Sequence, residues 1–441
     1  MNSKQLILST LALLLSTGLQ AQPGDSSPAD TLRLTLTEAK EYALQHSRTI
    51  KSASLAVQKA ERAKWEAIAS MLPHADASAG YNNFLGYEMK LQMNENMPPQ
   101  AIPMNPYGTL SVQATMAISG MQIVALNMRK LAIEMSRLSQ NASEVDVKAN
   151  ITSAYHGVLI AEESKKLVEK SKGNLEALHQ STQTMLSVGM AEQTDVDLLG
   201  VQVTNIENTI RSTERNIELA YNSMRLMLGV EANTPIKLTQ SLDDLLGNTE
   251  AAQRCNAQFD ESQNYNVQLL DKNIELSEKQ LSLQKWTYGP TLAAFYNYSN
   301  RTYFGKSEGF NMAPPHTVGL TLNVPIFSSG ERLSKVRQAK FDVETAKLNR
   351  EDAVEGLRVQ EKQLRFTLNS AMETYEMQRQ NVEVYERIFA NSTQKHEHGT
   401  ISSTELTTIS NDLLQAQSKY ISALMELFSA QTSLLKLLNA L

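Results

Sequence analysis

LSVQATMAISGMQIVALNMRKLAIE, residues 110–134, returns in altered form as LTLNVPIFSSGERLSKVRQAKFDVE at residues 320–344. Gly330 lies 210 residues beyond Gly120, and the same spacing later pairs Gly189 with Gly399, Thr194 with Thr404 and Asp195 with Glu405. A constant spacing held over so long a stretch marks two copies of one structural unit. Each copy changes its hydrophobic period at the shared glycine. Before it, apolar residues alternate as in a strand; after it they recur at helical spacing.

The alternation is clear in both copies. Leu110, Val112, Ala114, Met116 and Ile118 fall on one side of a strand, with Ser111, Gln113, Thr115 and Ala117 on the other. In the second copy Val318, Leu320, Leu322, Val324 and Ile326 alternate with Gly319, Thr321 and Asn323. Working back from each strand, a polar, proline-bearing loop precedes it (Pro98, Pro99, Pro103 and Pro106; then Pro314 and Pro315), and a further alternating strand precedes the loop. These earlier strands begin after helix-stopping prolines, Pro73 and Pro290. One carries Ala75, Ala77, Ala79 and Tyr81 on a single face; the other carries Leu292, Ala294, Tyr296 and Tyr298, with Phe295 breaking its polar face. Strands are therefore expected over 73–83, 107–118, 290–300 and 317–327. Pro73 and Pro290 are 217 residues apart, so the second loop is shorter by seven, and length changes of that kind belong in loops.

Working forward, proline is absent from Met121 to Ser187 and from Glu331 to Glu397. A helix of either length runs roughly 100 Å at ~1.5 Å per residue. In the second, Val336, Val343, Leu357, Leu364, Ala371 and Tyr385 share a seven-residue register, interrupted by Arg350 and Gln378, with Leu368, Tyr375 and Val382 beside it. This is the seam of a coiled coil. Each long helix ends at a glycine turn and returns as a shorter helix, over about 192–228 and 402–440. Thr194 and Thr404, each followed by an acid, suit the starts of those return helices. Shorter helices are expected over 34–71 and 264–287. Between the copies, Pro235–Leu238 suits a short strand and Leu242–Leu246 a short helix. The chain thus divides into residues 1–21, a first repeat over 22–229, a connector over 230–263 and a second repeat over 264–441, with hairpin tips at 187–196 and 396–406.

The first residues have the form of a secretory signal: Lys4, an apolar run from Leu6 to Leu15, and small residues leading to a cut after Ala21. The run is too short to span a bilayer as a helix, and no later stretch is long and apolar enough to do so. Net charge is −6 with acids and bases interspersed, which gives no basic footprint for nucleic acid. The single cysteine, Cys255, excludes an intrachain disulfide and any multi-cysteine zinc site.

Each strand is long enough to cross a bilayer when tilted, and each has one mostly apolar face and one mostly polar face. Tyr81, Phe84, Tyr87, Tyr107, Tyr298, Tyr303, Phe304 and Phe310 sit at strand ends and loops, where an interfacial girdle would want them. Four strands cannot close a barrel, and an open edge in lipid leaves backbone groups unpaired. Any barrel must therefore be shared between chains. The expected fold class is an α+β membrane protein built from a duplicated strand–helix unit.

These features together resemble the TolC-type outer membrane efflux protein family across essentially the whole mature sequence. Carrying the resemblance are LTLTEAKEYALQHSRTI (34–50), MLPHADASAGY (71–81), VGLTLNVPIFSSGERLSKVRQAK (318–340) and SVGMAEQTDV (187–196), with PIFSSG (325–330) the most specific. The resemblance implies a homotrimer in the outer membrane, with four strands per chain in a twelve-stranded barrel and a coiled-coil tunnel in the periplasm. It implies two further partners, a periplasmic membrane fusion (adaptor) protein and an inner-membrane transporter of the resistance-nodulation-division or ABC type. The protein would be a passive duct with no catalytic residues and no cofactor, carrying small toxic molecules outward. Protein or peptide export stays open within that class. The two glycine turns, with Val188, Gly189, Thr194, His398, Gly399 and Thr404, would form the adaptor-contact end. Glu405 takes the first acidic gate position. Thr408 replaces the second acid, Ile401 stands where relatives carry a latching arginine, His396 where they carry an aromatic, and Asp195 completes the gate set.

Other readings compete for some residues. Glu405 and Asp195 also suit plain helix capping. His396–Glu397–His398 invites a metal, but residues one or two apart on a helix do not share a face and no third ligand is evident. Met89, Met93, Met97 and Met104 would suit a soft ion, or equally a flexible apolar loop filling. A secreted coiled-coil structural or adaptor protein is the competing class; an enzyme has no nucleophile elbow, phosphate loop or metal motif to support it.

Overall fold

The computed structural model describes residues 31–92, 98, 100–247, 253–304 and 314–441. The signal segment, Met93, Met97 and Phe310 lie outside the described residues. In chain order the elements are β1 (Leu32–Leu34), α1 (Leu36–His46), α2 (Arg48–Ala69), β2 (His74–Asn82), β3 (Glu88–Leu91), β4 (Gln100–Pro103), β5 (Tyr107–Ser119), α3 (Gly120–Ser187) and α4 (Gln193–Leu228). The connector holds β6 (Ile236–Leu238) and α5 (Leu242–Leu246). The second half follows as α6 (Tyr265–Trp286), β7 (Thr291–Tyr303), β8 (His316–Asn323), α7 (Glu331–Glu397) and α8 (Ser403–Leu437).

The four long strands form one antiparallel sheet in the order β2-β5-β7-β8. Its register lines up apolar side chains in rows across the strands: Ile118, Leu292 and Leu322; Met116, Ala294 and Leu320; Ala114, Tyr296 and Val318. Opposed residues in a sheet share a face. This face is open to the surroundings, with Val318 81%, Leu320 77% and Leu322 64% exposed. The opposite face carries Ser78, whose hydroxyl is hydrogen bonded to that of Ser111 at 2.9 Å, and the row Gln113, Asn297 and Thr317. Phe295, the exception on that face, sits opposite Gly319, where an added Cβ would come within 2.6 Å of the ring. The glycine makes room for the aromatic.

Three sequence expectations need correction. The fourth strand ends at Asn323 instead of 327: Asn323 pairs with Thr291, the first residue of β7, and Pro290 before it leaves Val324–Phe327 without a ladder partner. The first external loop is not irregular throughout, since β3 and β4 pair as a small hairpin, Glu88 opposite Pro103 and Leu91 opposite Gln100. The helix expected over 34–71 is two helices broken at Ser47, whose hydroxyl accepts from the Thr49 amide at 3.2 Å. Leu32–Leu34 precedes them as a strand parallel to β6.

The main core lies at the waist of the helical part. Tyr155, Ile151 and Val158 of α3 pack there with Ala39 and Ala43 of α1, Met224 and Leu228 of α4, and Leu424 and Phe428 of α8. The Tyr155 hydroxyl donates to the Leu34 carbonyl at 3.2 Å, tying the short strand pair to the long helix.

On α7 the buried positions are Ala339, Val343, Ala346, Val354, Leu368, Ala371, Phe389, Ser392 and His396. The second column of the seam moves from the 339/346 register to the 354/368/389/396 register. A straight helix of 3.6 residues per turn drifts in this sense against a seven-residue repeat, by about 20° per heptad. Arg350, the charge that interrupts the first register, pairs with Asp271 of α6 at 2.6 Å.

Candidate functional site: the two hairpin tips and the gate face

Gly189 and Gly399 take left-handed backbone, φ +75° and +70°, with open space around the position a Cβ would occupy. Only the torsion demands glycine there. The turn at Gly189 closes with the Met190 amide donating to Met185 at 2.8 Å; the one at Gly399 closes with Thr400 donating to Lys395 at 2.9 Å. Val188 and Met190 stand 66% and 68% exposed at the end of the first hairpin. His398, Gly399 and Thr400 are exposed at the end of the second. Met190, an exposed thioether on a turn, was not singled out by sequence reasoning.

The return helices are not capped by threonine. Thr194 and Thr404 lie inside the first turns. Ser402 is the N-cap of α8, its hydroxyl accepting from the Glu405 amide at 3.1 Å. Glu192 caps α4, and its amide donates to Asp195 at 3.2 Å. A cap residue needs extended backbone so that its side chain can turn back onto the helix, and Glu192 and Ser402 have it. Asp195 and Glu405 are thus both third-position acids placed where the helix dipole favours negative charge.

Glu405 and Thr408 are exposed and three residues apart, so they share one face of α8. The Thr408 hydroxyl donates back to the Thr404 carbonyl at 3.0 Å. Asp412, also exposed and seven residues from Glu405, continues the face. It offers a second carboxylate one turn past the threonine, a position found only once helix spacing is followed beyond the gate motif. His396 does not join this face. It is 4% exposed, and its Nε2 is hydrogen bonded to the Ser403 Oγ at 2.9 Å, bracing the turn from inside. Burial holds its imidazole below the usual histidine range, against the opposing pull of Asp195 and Glu397. The reason for its position is the seam: His396 occupies the same drifted column as Leu368 and Phe389. Ile401 packs at the edge of the tip core formed by Leu178, Leu199, Phe389, Leu406 and Leu413. The two hairpins are joined further up by the Lys170–Glu386 ion pair at 2.7 Å and by Ser171 donating to Gln417 at 3.1 Å.

His398 is exposed while His396 is buried, so the two imidazoles diverge. Among the described residues no group of three or more His, Cys, Asp or Glu is placed to hold a metal ion.

At the far end, the sheet is rimmed by aromatics. Tyr107 contacts Tyr303 (5.7 Å between ring centroids) and Phe84 (6.0 Å), Tyr81 contacts Phe304 (5.9 Å), and Arg301 lies 4.3 Å over Tyr107. At the strand–helix junction Trp286 and Tyr288 are 45% and 48% exposed, forming an inner rim that the sequence reading left out. Trp286 lies against Gly120, where a Cβ would stand 2.1 Å from the ring. Sheet, rims and helical hairpins thus have a definite polarity, with the tips at the end away from the aromatic-rimmed sheet.

Residues 261–440 match the family of outer membrane efflux proteins. The chain is similar to that family over this second half. It is 22% identical over 296 residues to outer membrane protein TolC of Vibrio cholerae serotype O1, covering 65% of this chain and 64% of that one. It is 23% identical over 291 residues to outer membrane protein TolC of Escherichia coli K12, covering 63% and 56%. The matched stretch spans less than two thirds of either relative. The outer membrane protein VceC of V. cholerae shares 14% identity and a TM-score of 0.68 over 91% of this chain and 95% of that one, a likeness of fold. Among the described residues no helix is long and apolar enough to cross a membrane.

Proposed function

We propose that this chain forms a trimeric, passive outer membrane duct of a tripartite efflux system, carrying small toxic molecules outward. The outer membrane location and a periplasmic helical tunnel come with the family. One observation carries the trimer: a four-stranded sheet with apolar rows on an open face and two unpaired edges, β2 and β8. In lipid those edges demand partners, and further copies of the same sheet supply them. Twelve strands from three chains make a barrel wide enough for a channel.

The hairpins reach into the periplasm, where Val188, Met190, His398 and Gly399 offer two small exposed ends to an adaptor protein. That adaptor would link to an inner-membrane transporter of the resistance-nodulation-division or ABC type. Energy comes from that partner. Glu405, Thr408 and Asp412 line the gate, and Asp195 stands beside it. Three symmetry-related carboxylates at one level attract cations and resist close approach of the helices. With Ile401 in the tip core, apolar packing takes the place of an arginine latch.

The test is the mass of the detergent-solubilised protein from the outer membrane fraction. A trimer is expected; a monomer or dimer released without detergent overturns the barrel and returns the chain to a secreted coiled-coil protein. In planar bilayers Glu405→Ala is expected to lower cation selectivity, and unchanged conductance and selectivity would leave Glu405 as a helix-capping acid.

A further inference from the structure

At the helix end of the sheet, where β8 gives way to α7, the PIFSSG stretch leaves its two large side chains uncovered. Ile326 and Phe327 are 94% and 85% exposed, and Val324 beside them is exposed as well. A cluster of exposed apolar side chains marks a contact surface. The backbone that carries them is held in place. Arg332 donates to the Pro325 carbonyl at 3.4 Å and lies 5.8 Å over the Tyr288 ring, and the Glu331 amide donates to the Ser328 carbonyl at 2.9 Å. The stretch is thus anchored on the α6 side and bare on the other.

The internal repeat says what covers it. The counterparts of residues 326–329, 210 positions earlier, are Met116–Ser119. These also run past the strand before them: β2 begins at His74, opposite Thr115, and gives them no partner. Their support comes from the other side, from β7, with Ala117 opposite Ala293 and Ser119 opposite Thr291. β7 is the first strand of the following unit. In the second unit β7 begins at Thr291, opposite Asn323, and in the same way gives Val324–Phe327 no partner. Support from the other side would again come from the first strand of the following unit, and past β8 that strand is the β2 of another copy.

The helices leading into the two first strands agree. α2 and α6 have 22 residues each and start 217 residues apart (265 − 48), the spacing of Pro73 and Pro290. Within the chain, the bulk at the junction comes from the helix: Trp286, the last residue of α6, covers Gly120, and the strand end brings only Ala117. At the other junction α2 ends in Ala69, and the strand end brings Phe327 in place of Ala117. The large side chain has changed sides. The end of α2 is apolar and uncovered to match, with Leu72 exposed and Trp65, one turn from Ala69, 60% exposed.

We propose that Ile326 and Phe327 of each chain pack on a neighbouring copy, against the foot of β2 and the end of α2 around Trp65, Ala69 and Leu72. The inference rests on the shared-barrel reading and names the residues that join its chains at the helix end of the sheet. Lipid is the other candidate cover.

The experiment uses the full chain in detergent, carrying Phe327→Cys together with His74→Cys and treated with a short bis-maleimide; the native Cys255 is buried. His74 is the counterpart of Thr291 and opens β2. Covalent dimers and trimers are expected on a denaturing gel. Each single variant should give none, and neither should Phe327→Cys paired with Leu85→Cys beyond the far end of β2. Phe327→Ala should lower the temperature at which the solubilised trimer separates and leave the helix circular dichroism signal unchanged, since the ring is exposed in the single chain. In a protein trimeric by mass, absence of the 327–74 cross-link, or a separation temperature that Phe327→Ala leaves unchanged, overturns the contact. The duct reading would then stand, with the stretch facing lipid. An unmodified protein that is monomeric by mass removes both.

Discussion

Gly229→Ala is a substitution whose cost divides into two parts that neighbouring positions in the same chain can separate. Gly229 ends α4 with φ +75°, its amide donating to Leu226 and the next amide, of Val230, to Arg225, each at 3.2 Å. A left-handed backbone costs an L-residue about 1–2 kcal/mol. The added Cβ would also stand 2.7 Å from the His46 carbonyl oxygen and 3.2 Å from its carbon. Those atoms are backbone at the break between α1 and α2, held by the Ser47 amide donating to Ala43 at 2.8 Å, and cannot swing aside. Overpacking against a fixed group costs about 1–3 kcal/mol. The sum for Gly229→Ala is therefore about 2–5 kcal/mol. Gly189→Ala and Gly399→Ala meet the same torsion with nothing within 4 Å, so each carries the first part alone. The assay is guanidinium unfolding of the three variants in detergent, followed by the helix circular dichroism signal, with hydrogen exchange across α1 as a local reading. Gly229→Ala should show the lowest midpoint and faster exchange in α1. Equal midpoints for all three variants would refute the steric half of the argument.

Ser402→Ala should destabilise the second tip by about 1 kcal/mol through loss of the cap, whereas Thr404→Ala, inside the first turn, should change stability by less than about 0.5 kcal/mol; chemical denaturation of the pair checks the order. Tyr155→Phe removes the hydroxyl bond to Leu34, whose carbonyl also accepts from the Thr239 amide at 3.1 Å, so a loss of about 0.5–1 kcal/mol is expected in the same assay. For His396, burial lowers the folded-state pKa below 6.5, so the fold favours the neutral ring. The stability this contributes is complete above the unfolded value and is lost as pH falls below it. Faster amide exchange over residues 396–403 at about pH 5 than at about pH 7.5, after correction for intrinsic rates, is the expected result, and His396→Gln should abolish the difference.

The strands were legible because a sheet with one lipid-facing side must alternate, and Leu110 to Ile118 and Val318 to Leu322 do so with little interruption. What pairs with what was less so. The end of β8 depends on where β7 begins, which is a fact about Thr291 and Pro290 and not about Val324–Phe327 themselves. The β3–β4 hairpin is short, and Met89, Pro98 and Pro103 read as loop. At the tips, the glycines announced both turns, but the threonines of the shared pattern drew attention from Glu192 and Ser402, the residues with cap backbone. The shared glycines themselves mislead in one respect. Gly330 has φ +85° and open space, while Gly120 is helical and gives way to Trp286. One column of the repeat thus holds glycine for two unrelated reasons, which identity between the copies conceals.

The same repeat says how the proposed barrel is joined. In the order β2-β5-β7-β8, the second strand pair follows the first by a shift of two places, so the β5–β7 junction joins one copy of the unit to the next. Placing the β8 of one chain beside the β2 of another would make the same kind of junction between chains. The two junctions are not equal in length. β5 and β7 pair along 13 residues each, whereas β8 and β2 have 8 and 9 residues to offer. Each missing residue pair is a rung of backbone hydrogen bonds left out of the seam. The seams between chains are therefore shorter than the β5–β7 junction and of about the length of the β7–β8 and β2–β5 pairings within each chain, so the β5–β7 junction, where one copy of the unit meets the next, is the longest and strongest seam of a barrel built this way.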